Sequence, residues 1–466
     1  MTRIAVIGGG IAGLAAAYAA GRRAREAGRP VEIALFERDA RLGGKILTQR
    51  AGGFIVEGGP DSFINQKPHG LQLFRELGLG GELMPSNDAT YKTRLLRKGR
   101  LLAYPEGFRL AVPTKIWPFV TSPLISPLGK LRMGLDLFLP ARTSTADESL
   151  ADFITRRLGR EALDRIAGPI MSGIFVADPE KMSVQSTFPM FVELERKYGS
   201  LTRGIRIARK KAAAHGTGAT SSVFTGLRPG MDALVVALAS RIGADARTGT
   251  AVRALRRTTG GFELTLDPGG AFAADRVILA APAYASADLV AEIHPTLAAA
   301  LRGIRYVSSA TVSMSFRRED AAECPDGGGF GFVVPRTEPA QLLAFTWSSR
   351  KFDGRAPEGR HLVRAFIGGS RHEELAGLPE DELVRITRGE IGRILRLRAE
   401  PESVWVSQWP KGNPQFDVGH LDRVGEMERM AAEIPGLHLA GSAYRGVGIP
   451  DCIKSARAAV DAVFEA

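Results

Sequence analysis

Glycines near the start of the 466-residue chain have the spacing Gly8-x-Gly10-x-x-Gly13. Glycines in this pattern allow a tight turn and a close approach of the backbone to a pyrophosphate, whose charge the free amides of a helix N-terminus bind. The pattern therefore predicts a dinucleotide-binding turn. Its expected contacts are Gly8, Gly9, Gly10, Ile11, Ala12 and Gly13.

The flanking elements are those that must position such a turn. Residues 3–7 (RIAVI) read as an apolar strand, the alanine-rich stretch after Gly10 as a helix, and VEIALFE at 31–37 as a second strand. Glu37 closes that strand, where an acid accepts hydrogen bonds from a ribose diol and disfavours a phosphorylated ribose. The alternative is a glycine turn that binds no ligand. The strand, the helix and the acidic strand end around the turn disfavour this alternative.

Two more glycine pairs follow, in RLGGK at 41–45 and in GGFIVEGGPDSF at 52–63. Further close approaches of backbone soon after the first turn indicate a ligand that lies extended along the protein. The order of turn, acid, R-x-G-G-[RK] and GGPDS resembles the superfamily of FAD-containing amine oxidases and protoporphyrinogen oxidases. Lys45 stands where many members have Arg, so its phosphate contact is expected to be less bidentate.

The C-terminal sequence PGLHLAGSAYRGVGIPDCIKSARAAVDAV reads as a strand at 437–440, a turn at Gly441 and a helix from about Ile449. The resemblance implies that this segment contacts the flavin, with the helix N-terminus favouring its anionic reduced form. It implies a single non-covalent FAD. Beyond the first turn and Glu37, the implied FAD contacts are Arg38, Gly44, Lys45, Gly59, Pro60, Asp61, Ser62, Val252 behind the adenine, Trp409, Gly441, Val447, Gly448 and Ile449.

The expected fold class is α/β with three parts. A discontinuous Rossmann-like FAD domain is predicted from residues 1–88, 216–285 and 405–466. A basic, mostly helical membrane-associating domain is predicted from residues 89–215. The segments at 286–404 contain alternating apolar residues, which favours an antiparallel sheet that binds the substrate.

Four separated blocks resemble bacterial protoporphyrinogen oxidases: KTRLLRKGRLLAYPEG, GIFVADPEKMSVQSTFPMF, WPKGNPQFDVGHL and AYRGVGIPDCI. The resemblance implies removal of six hydrogens from protoporphyrinogen IX or coproporphyrinogen III in haem biosynthesis, with O2 as oxidant and release of hydrogen peroxide. Arg94 is expected to pair with a propionate, and Gly173 to let the macrocycle approach. Phe332 and Phe366 are candidate cavity-lining residues, although aromatic residues on strands are more often part of a core.

The net charge of +12 is concentrated in residues 89–215, which contain 22 Lys and Arg against 11 Asp and Glu. The same stretch interleaves Trp117 and Phe119 with aliphatic residues and cations. A solvated basic surface explains this composition, and so does contact with an anionic membrane. Nucleic acid is disfavoured because no RNA-binding signature is present. We therefore expect a cytoplasmic protein held peripherally at the inner face of the cell membrane.

Other chemistries find little support. Cys324 and Cys452 do not make a disulfide framework, no metal-ligand spacing occurs, and no catalytic triad is evident, which fits chemistry centred on a flavin. An amine oxidase of the same superfamily is the alternative, with Trp409 and Tyr444 as its paired rings. A basic scaffold with a vestigial nucleotide domain is another. A homodimer and hand-over of product to ferrochelatase are further expectations.

Overall fold

The computed structural model describes residues 1–87, 92–109, 111–214, 222–242, 245–322, 324 and 329–465. The strands are β1 (Thr2–Ile7), β2 (Val31–Phe36), β3 (Thr48–Ala51), β4 (Phe54–Glu57), β5 (Phe63–Ile64), β6 (Leu83–Pro85), β7 (Thr93–Arg97), β8 (Arg100–Ala103), β9 (Phe108–Arg109), β10 (Val112–Pro113), β11 (Phe224–Leu227), β12 (Ala246–Arg247), β13 (Ala251–Thr258), β14 (Gly261–Asp267), β15 (Ala271–Ala274), β16 (Arg276–Leu279), β17 (Tyr306–Arg317), β18 (Gly331–Val333), β19 (Leu342–Trp347), β20 (Arg360–Gly368), β21 (Ser403–Pro414) and β22 (Leu437–Leu439).

The helices connect and cover these strands. They are α1 (Ile11–Ala27), α2 (Pro68–Glu76), α3 (Ile116–Thr121), α4 (Pro127–Gly134), α5 (Leu150–Leu158), α6 (Arg160–Ala162), α7 (Gly168–Phe175), α8 (Val184–Thr187), α9 (Pro189–Tyr198), α10 (Leu201–Ala214), α11 (Asp232–Ala239), α12 (Ala283–Val290), α13 (Pro295–Arg302), α14 (Ser348–Lys351), α15 (Glu380–Leu395), α16 (His420–Ala432) and α17 (Ile449–Glu465).

A five-stranded parallel sheet in the order β12-β2-β1-β16-β22 forms the nucleotide-binding part. Its central strands are buried on both faces, as expected of near-continuous apolar runs such as IAVI and RVIL. Helices α1 and α17 cover one face, and α12, α13 and α16 share a core with the other. The predicted Rossmann-like domain, built from both ends of the chain, is confirmed.

A seven-stranded sheet in the order β21-β17-β20-β19-β18-β7-β8 forms the second part. Val312, Phe345 and Ile367 project from one face into a core that includes Leu383 and Ile386 of α15. Because side chains alternate along a strand, Thr311 and Arg364 project from the opposite face, which meets the nucleotide-binding part. One face of the sheet therefore packs in a hydrophobic core, and the other face borders the site described below.

The structure departs from the predicted domain boundaries at three places. Residues 93–103 contribute two strands to it although they were expected in the helical segment, and residues 403–414 join it although 405–466 was expected in the FAD domain. Residues 283–302 pack with β16 in the nucleotide-binding core, although 286–404 was expected to form the substrate-binding sheet. Strand pairing depends on hydrogen bonds between distant segments, so a strand's own pattern does not tell which sheet it joins.

Helices α3 to α10, which we call the helical part, are held together by a buried ion pair. Arg157 and Asp136 are both fully buried, and Arg157 Nε donates to Asp136 Oδ1 at 2.8 Å. The other carboxylate oxygen accepts from Ser200 Oγ at 2.7 Å and from the Thr202 amide at 2.8 Å, at the start of α10. One carboxylate therefore joins the chain near residue 136 to α5 and α10. None of the helices in the described ranges is long and apolar enough to cross a bilayer.

Candidate functional site

The turn between β1 and α1 has the geometry that its glycines predict. A Cβ atom at Gly13 would lie 1.8 Å from the Gly8 carbonyl oxygen, so helix and turn touch only because residue 13 is glycine. Gly8 itself has φ of 111°, in the region that favours glycine. At Gly10 a Cβ would meet nothing within 4 Å, so this backbone faces open space beside the helix N-terminus. An accessible surface of this kind is what a pyrophosphate requires.

Glu37 holds this turn in place. Its carboxylate accepts from the Gly9 amide at 2.6 Å and from the Asp39 amide at 2.9 Å, and the residue is 9% exposed. A carboxylate has further lone pairs, so these bonds leave acceptors for a ribose diol. Arg38 points outward, with 68% of its side chain exposed and an ion pair to Asp39. The structure therefore brings Glu37, and not Arg38, to the turn.

The later glycine pairs stack against the first turn. The Gly43 amide donates to the Gly9 carbonyl at 2.8 Å, and a Cβ at Gly44 would lie 3.2 Å from Gly10 Cα. At Gly59 a Cβ would lie 1.6 Å from the Lys45 carbonyl oxygen. Close packing of glycine backbone thus leads from Gly10 through residues 44 and 45 to Gly59. We call this row of contacts the glycine path.

Lys45 lies on the glycine path and carries a cationic side chain. Its side chain is solvent-accessible, yet partial desolvation by the surrounding protein lowers the pKa of its ammonium. Its Nζ atom donates to the Gly412 carbonyl at 2.5 Å. The ammonium therefore reaches the C-terminal part of β21, beyond Trp409, in the same region as the glycine path.

Three strands of the large sheet reach one carbonyl at the end of the glycine path. The Gly58 oxygen accepts from Thr311 Oγ1 at 3.1 Å, Arg364 Nη2 at 3.1 Å and Trp409 Nε1 at 3.0 Å. Arg364 Nη2 also donates to the Gly59 carbonyl at 2.6 Å. The sheet and the glycine path are thereby fastened together at the point where Trp409 was expected.

The loop continues into a half-buried ion pair. Lys351 Nζ lies 2.8 Å from both carboxylate oxygens of Asp61, and Ser62 Oγ donates to the same carboxylate at 2.7 Å. Burial alone would raise the pKa of Asp61, but the cations of Lys351 and Arg364 lower it to about 2. Asp61 is therefore a fixed anion and does not serve as a base near neutral pH.

Lys351, Arg364 and Thr311 were missed by sequence reasoning. A signal for Arg364 was present, because it is a single cation inside the apolar stretch HLVRAFIGG. A charge at a central position of such a strand needs a specific partner.

The C-terminal turn closes the site from the other side. A Cβ at Gly8 would lie 2.8 Å from the Ala281 amide, and one at Gly441 would lie 3.9 Å from the Ala280 oxygen. The two ends of the chain therefore meet over one strand end. Lys67 Nζ bonds Asp451 in the first turn of α17 at 2.6 and 2.7 Å, next to Gly448. The other predicted contacts here are Val447, which is half-buried, and Ile449, which begins the helix.

Pro60 lies within the same loop as Asp61. Val252 packs on the core of the parallel sheet from β13. The Thr250 amide just before that strand donates to the Glu37 carbonyl at 2.8 Å. The predicted adenine position of Val252 is thus adjacent to the end of β2.

The predicted substrate residues do not all lie on one wall. Phe332 is 2% exposed and stacks on Phe345 with ring centroids 5.2 Å apart, so the expectation that it lines a cavity is wrong. Arg94 pairs with Phe332 in the sheet register and therefore projects from the α15 face, where it packs beside Gly329. Phe366 is half-buried on the opposite face, with the Arg364 guanidinium 4.7 Å from its ring.

Gly173 is exposed in α7, and a Cβ there would meet nothing within 4 Å. Its backbone is accessible, as the expected approach of a macrocycle requires. Tyr444, the expected second ring of an amine oxidase, is 3% exposed within the core of the parallel sheet. It does not form a pair of exposed rings with Trp409. The pair of rings that suggested an amine oxidase is therefore not formed by Trp409 and Tyr444.

Comparison with known proteins agrees with this geometry. Residues 11–464 match the family of flavin containing amine oxidoreductases. The chain belongs to this family. Its cofactor is FAD, and the glycine path, the Glu37 carboxylate and the accessible Gly10 backbone fit that group.

Relatives cover nearly the whole chain. The chain is 35% identical to coproporphyrinogen III oxidase of Bacillus subtilis (strain 168), over 98% of this chain and 97% of that protein. It is 33% identical to the protein of the same name from Propionibacterium freudenreichii subsp. freudenreichii, over 99% and 91% of the two chains. The crystal structure of a provisionally named protoporphyrinogen oxidase from Exiguobacterium sp. 255-15 has a TM-score of 0.88 at 32% identity, covering 100% and 99% of the chains.

His420 supports the C-terminal turn from the core. The residue is fully buried, and its Nε2 donates to the Tyr444 carbonyl at 2.8 Å. Its Nδ1 is buried and has no partner among the described residues. Burial lowers the pKa of His420 to about 4, because a second ring proton would be placed in the core without an acceptor.

We expect acid to destabilise the protein through His420. Between its ordinary pKa near 6.5 and about 4, the unfolded chain takes up a proton that the folded chain excludes. Stability should therefore fall by about 3 kcal/mol as the pH is lowered through this window, and level off below it. Thermal unfolding from pH 7.5 to 4.5 measures the slope, which His420→Asn should reduce. An equal slope in the variant would contradict this role.

Substitution of Glu37 should weaken FAD binding. Glu37→Gln removes the charge and replaces one acceptor by a donor facing the Gly9 amide, so both the turn and the ribose contact suffer. We expect the Kd of FAD for the apoprotein to rise about tenfold, or roughly 1.4 kcal/mol, in titrations followed by flavin fluorescence. Glu32→Gln, at the start of the same strand, is the matched control. Equal affinity of both variants would remove Glu37 from the site.

Proposed function

We propose that the protein is an FAD-dependent oxidase that converts a porphyrinogen into the corresponding porphyrin in haem biosynthesis. The full-length likeness to enzymes named coproporphyrinogen III oxidase, at 35% and 33% identity, is the observation that carries this proposal. The geometry supports it, because the loop predicted to contact FAD is hydrogen-bonded directly to the seven-stranded sheet that carries Phe366.

Coproporphyrinogen III is the proposed substrate. It carries propionates where protoporphyrinogen IX carries vinyl groups, so it presents more negative charge. Residues 89–215 have 22 basic against 11 acidic residues, which favours the more anionic macrocycle. Gly173 remains a predicted substrate contact, with Phe366 on the wall that meets the FAD site. Arg94 also stays a prediction, but it projects from the opposite face of the sheet, so a propionate paired with it would lie away from the FAD site.

The reaction removes six electrons and six protons, and bound FAD would supply the acceptor for hydride equivalents in three rounds. The chain's own residues bind and orient. Trp409 and Thr311 donate hydrogen bonds to the Gly58 carbonyl, which fixes the seven-stranded sheet against the loop at residues 58–62. We call this loop the FAD loop. Phe366 offers an apolar surface beside it. Asp61 remains ionised and paired to Lys351 throughout. We propose O2 as the oxidant, reduced to one H2O2 per round, and non-covalent attachment of the FAD.

An anionic membrane surface is the proposed partner of the helical part. Helix α3, helix α4 and the turn just after α4 expose a group of large apolar side chains beside Lys115 and Lys130. These side chains are Ile116 (64% exposed), Trp117 (74%), Leu128 (78%), Leu131 (70%) and Phe138 (82%). Apolar residues flanked by cations bind the interface of an anionic bilayer. The homodimer and the transfer of product to ferrochelatase stay predictions.

Removing two of these side chains should abolish membrane binding. We expect Trp117→Ser with Phe138→Ser to lose co-sedimentation with vesicles of anionic phosphatidylglycerol, because the buried apolar area is lost. Val236→Ser, which removes a 64% exposed apolar residue of α11, is the matched control and should still bind. Neutral phosphatidylcholine vesicles should bind less of the unchanged protein. Equal binding by the double variant would refute this surface.

Purified holoenzyme should form porphyrin from both porphyrinogens, with a higher kcat/KM for coproporphyrinogen III. Porphyrin fluorescence and peroxide release should rise together, with three H2O2 for each porphyrin. The apoprotein corrects for spontaneous oxidation in air. Porphyrin formation no faster than with the apoprotein would refute the proposed function, and a preference for protoporphyrinogen IX would refute the choice of substrate.

A further inference from the structure

The buried charges behind the Gly58–Ser62 loop do not cancel. Lys351 and Asp61 form a close pair, with only 13% and 18% of their side chains exposed. Arg355 and Glu57 form a second, at 4.0 Å. Arg364 is 4% exposed and lies near both acids, each of which already has a cation of its own. One positive charge is therefore left over in the interior of the protein.

The hydrogen bonds of Arg364 are also incomplete. Nη2 donates to the Gly58 and Gly59 carbonyls at 3.1 and 2.6 Å, which fixes the plane of the guanidinium. Its Nε is buried and has no acceptor among the described residues. Burial lowers the pKa of Arg364, but an arginine remains cationic at neutral pH. A buried cation with an unused donor needs a nearby anion or oxygen.

The position of Arg364 indicates which group supplies the negative charge. The two carbonyls that it holds lie at the end of the glycine path, which begins at Gly10 beside the predicted pyrophosphate site. The far end of the path is therefore where the flavin end of an extended FAD is expected. Because the guanidinium is 4% exposed and held to backbone on one edge, it would act on a nearby flavin through its charge rather than by direct contact.

We propose that Arg364 is a positioning residue that supplies the positive charge balancing the negative charge which FAD gains on reduction. It holds the Gly58–Gly59 backbone and stabilises reduced FAD more than oxidised FAD. A cation in a poorly screened interior acts strongly on a neighbouring charge. This role concerns the cofactor alone, so it stands or falls independently of the porphyrinogen assignment.

The test compares three variants of the holoenzyme. Arg364→Met removes the charge at similar length, Arg364→Lys keeps it, and Arg360→Met removes a half-exposed arginine on the same strand, paired with Glu402 at 2.5 Å. The flavin midpoint potential is measured by reduction in the presence of a reference dye, without any porphyrinogen. Unfolding curves check that each variant is folded.

We expect Arg364→Met to bind reduced FAD at least tenfold less well relative to oxidised FAD, which lowers the two-electron potential by about 30 mV. Arg364→Lys should recover most of that shift, and Arg360→Met should show none. If Arg364→Met does not retain FAD, the Kd values of oxidised and dithionite-reduced FAD are measured on its apoprotein. An unchanged potential, or an equal loss for both redox forms, would overturn the proposal.

Discussion

The carbonyl oxygen of Gly58 accepts hydrogen bonds from Thr311, Arg364 and Trp409, which lie on three strands of the seven-stranded sheet. This contact joins the two large parts of the molecule at one backbone atom. A bond from a charged donor contributes about 1.5–3 kcal/mol, and each neutral one about 1 kcal/mol. The relative position of the FAD loop and the seven-stranded sheet depends on this contact, since a shift of either part would break all three hydrogen bonds.

The glycine residues explain why the FAD loop can reach that point. At Gly13 and Gly59, an added Cβ would overlap a carbonyl oxygen at 1.8 and 1.6 Å. Backbone segments from three places in the chain therefore lie in direct contact, and side chains are excluded between them. The resulting path is narrow and polar, and it is lined by backbone amides. Such a surface fits an extended dinucleotide better than a compact substrate.

Charge is distributed unevenly, and each excess has a different physical consequence. The surplus cations of residues 89–215 include exposed side chains such as Arg196 and Arg203, whose interactions are screened by salt. In the described structure around Gly58, Arg364 is a buried cation without a counter-ion of its own, so its effect is local and strong. Overall charge reports only the first kind, which is why the composition of the chain suggested a membrane but gave no hint of Arg364.

The sequence by itself determined the nucleotide-binding half of the site. Gly8 and Gly10 lie between a strand and a helix that their own periodicity predicts, and Gly13 lies in the first turn of that helix. Glu37 follows directly after the next strand. These are local relations, and local geometry follows from short-range sterics and hydrogen bonding. Resemblance extended the prediction to the C-terminal turn, and the structure places Gly441 beside the same strand end as Gly8.

Only the tertiary structure decided the substrate half. Phe332 and Phe366 both lie on strands and were equivalent in the sequence, yet the sheet register buries Phe332 against Phe345 and leaves Phe366 beside Arg364. The same register separates Arg94 from the face that meets the FAD loop. A strand's pattern shows that its two faces differ but not what covers each face, because that depends on hydrogen bonds to other segments of the chain, as between β18 and β7.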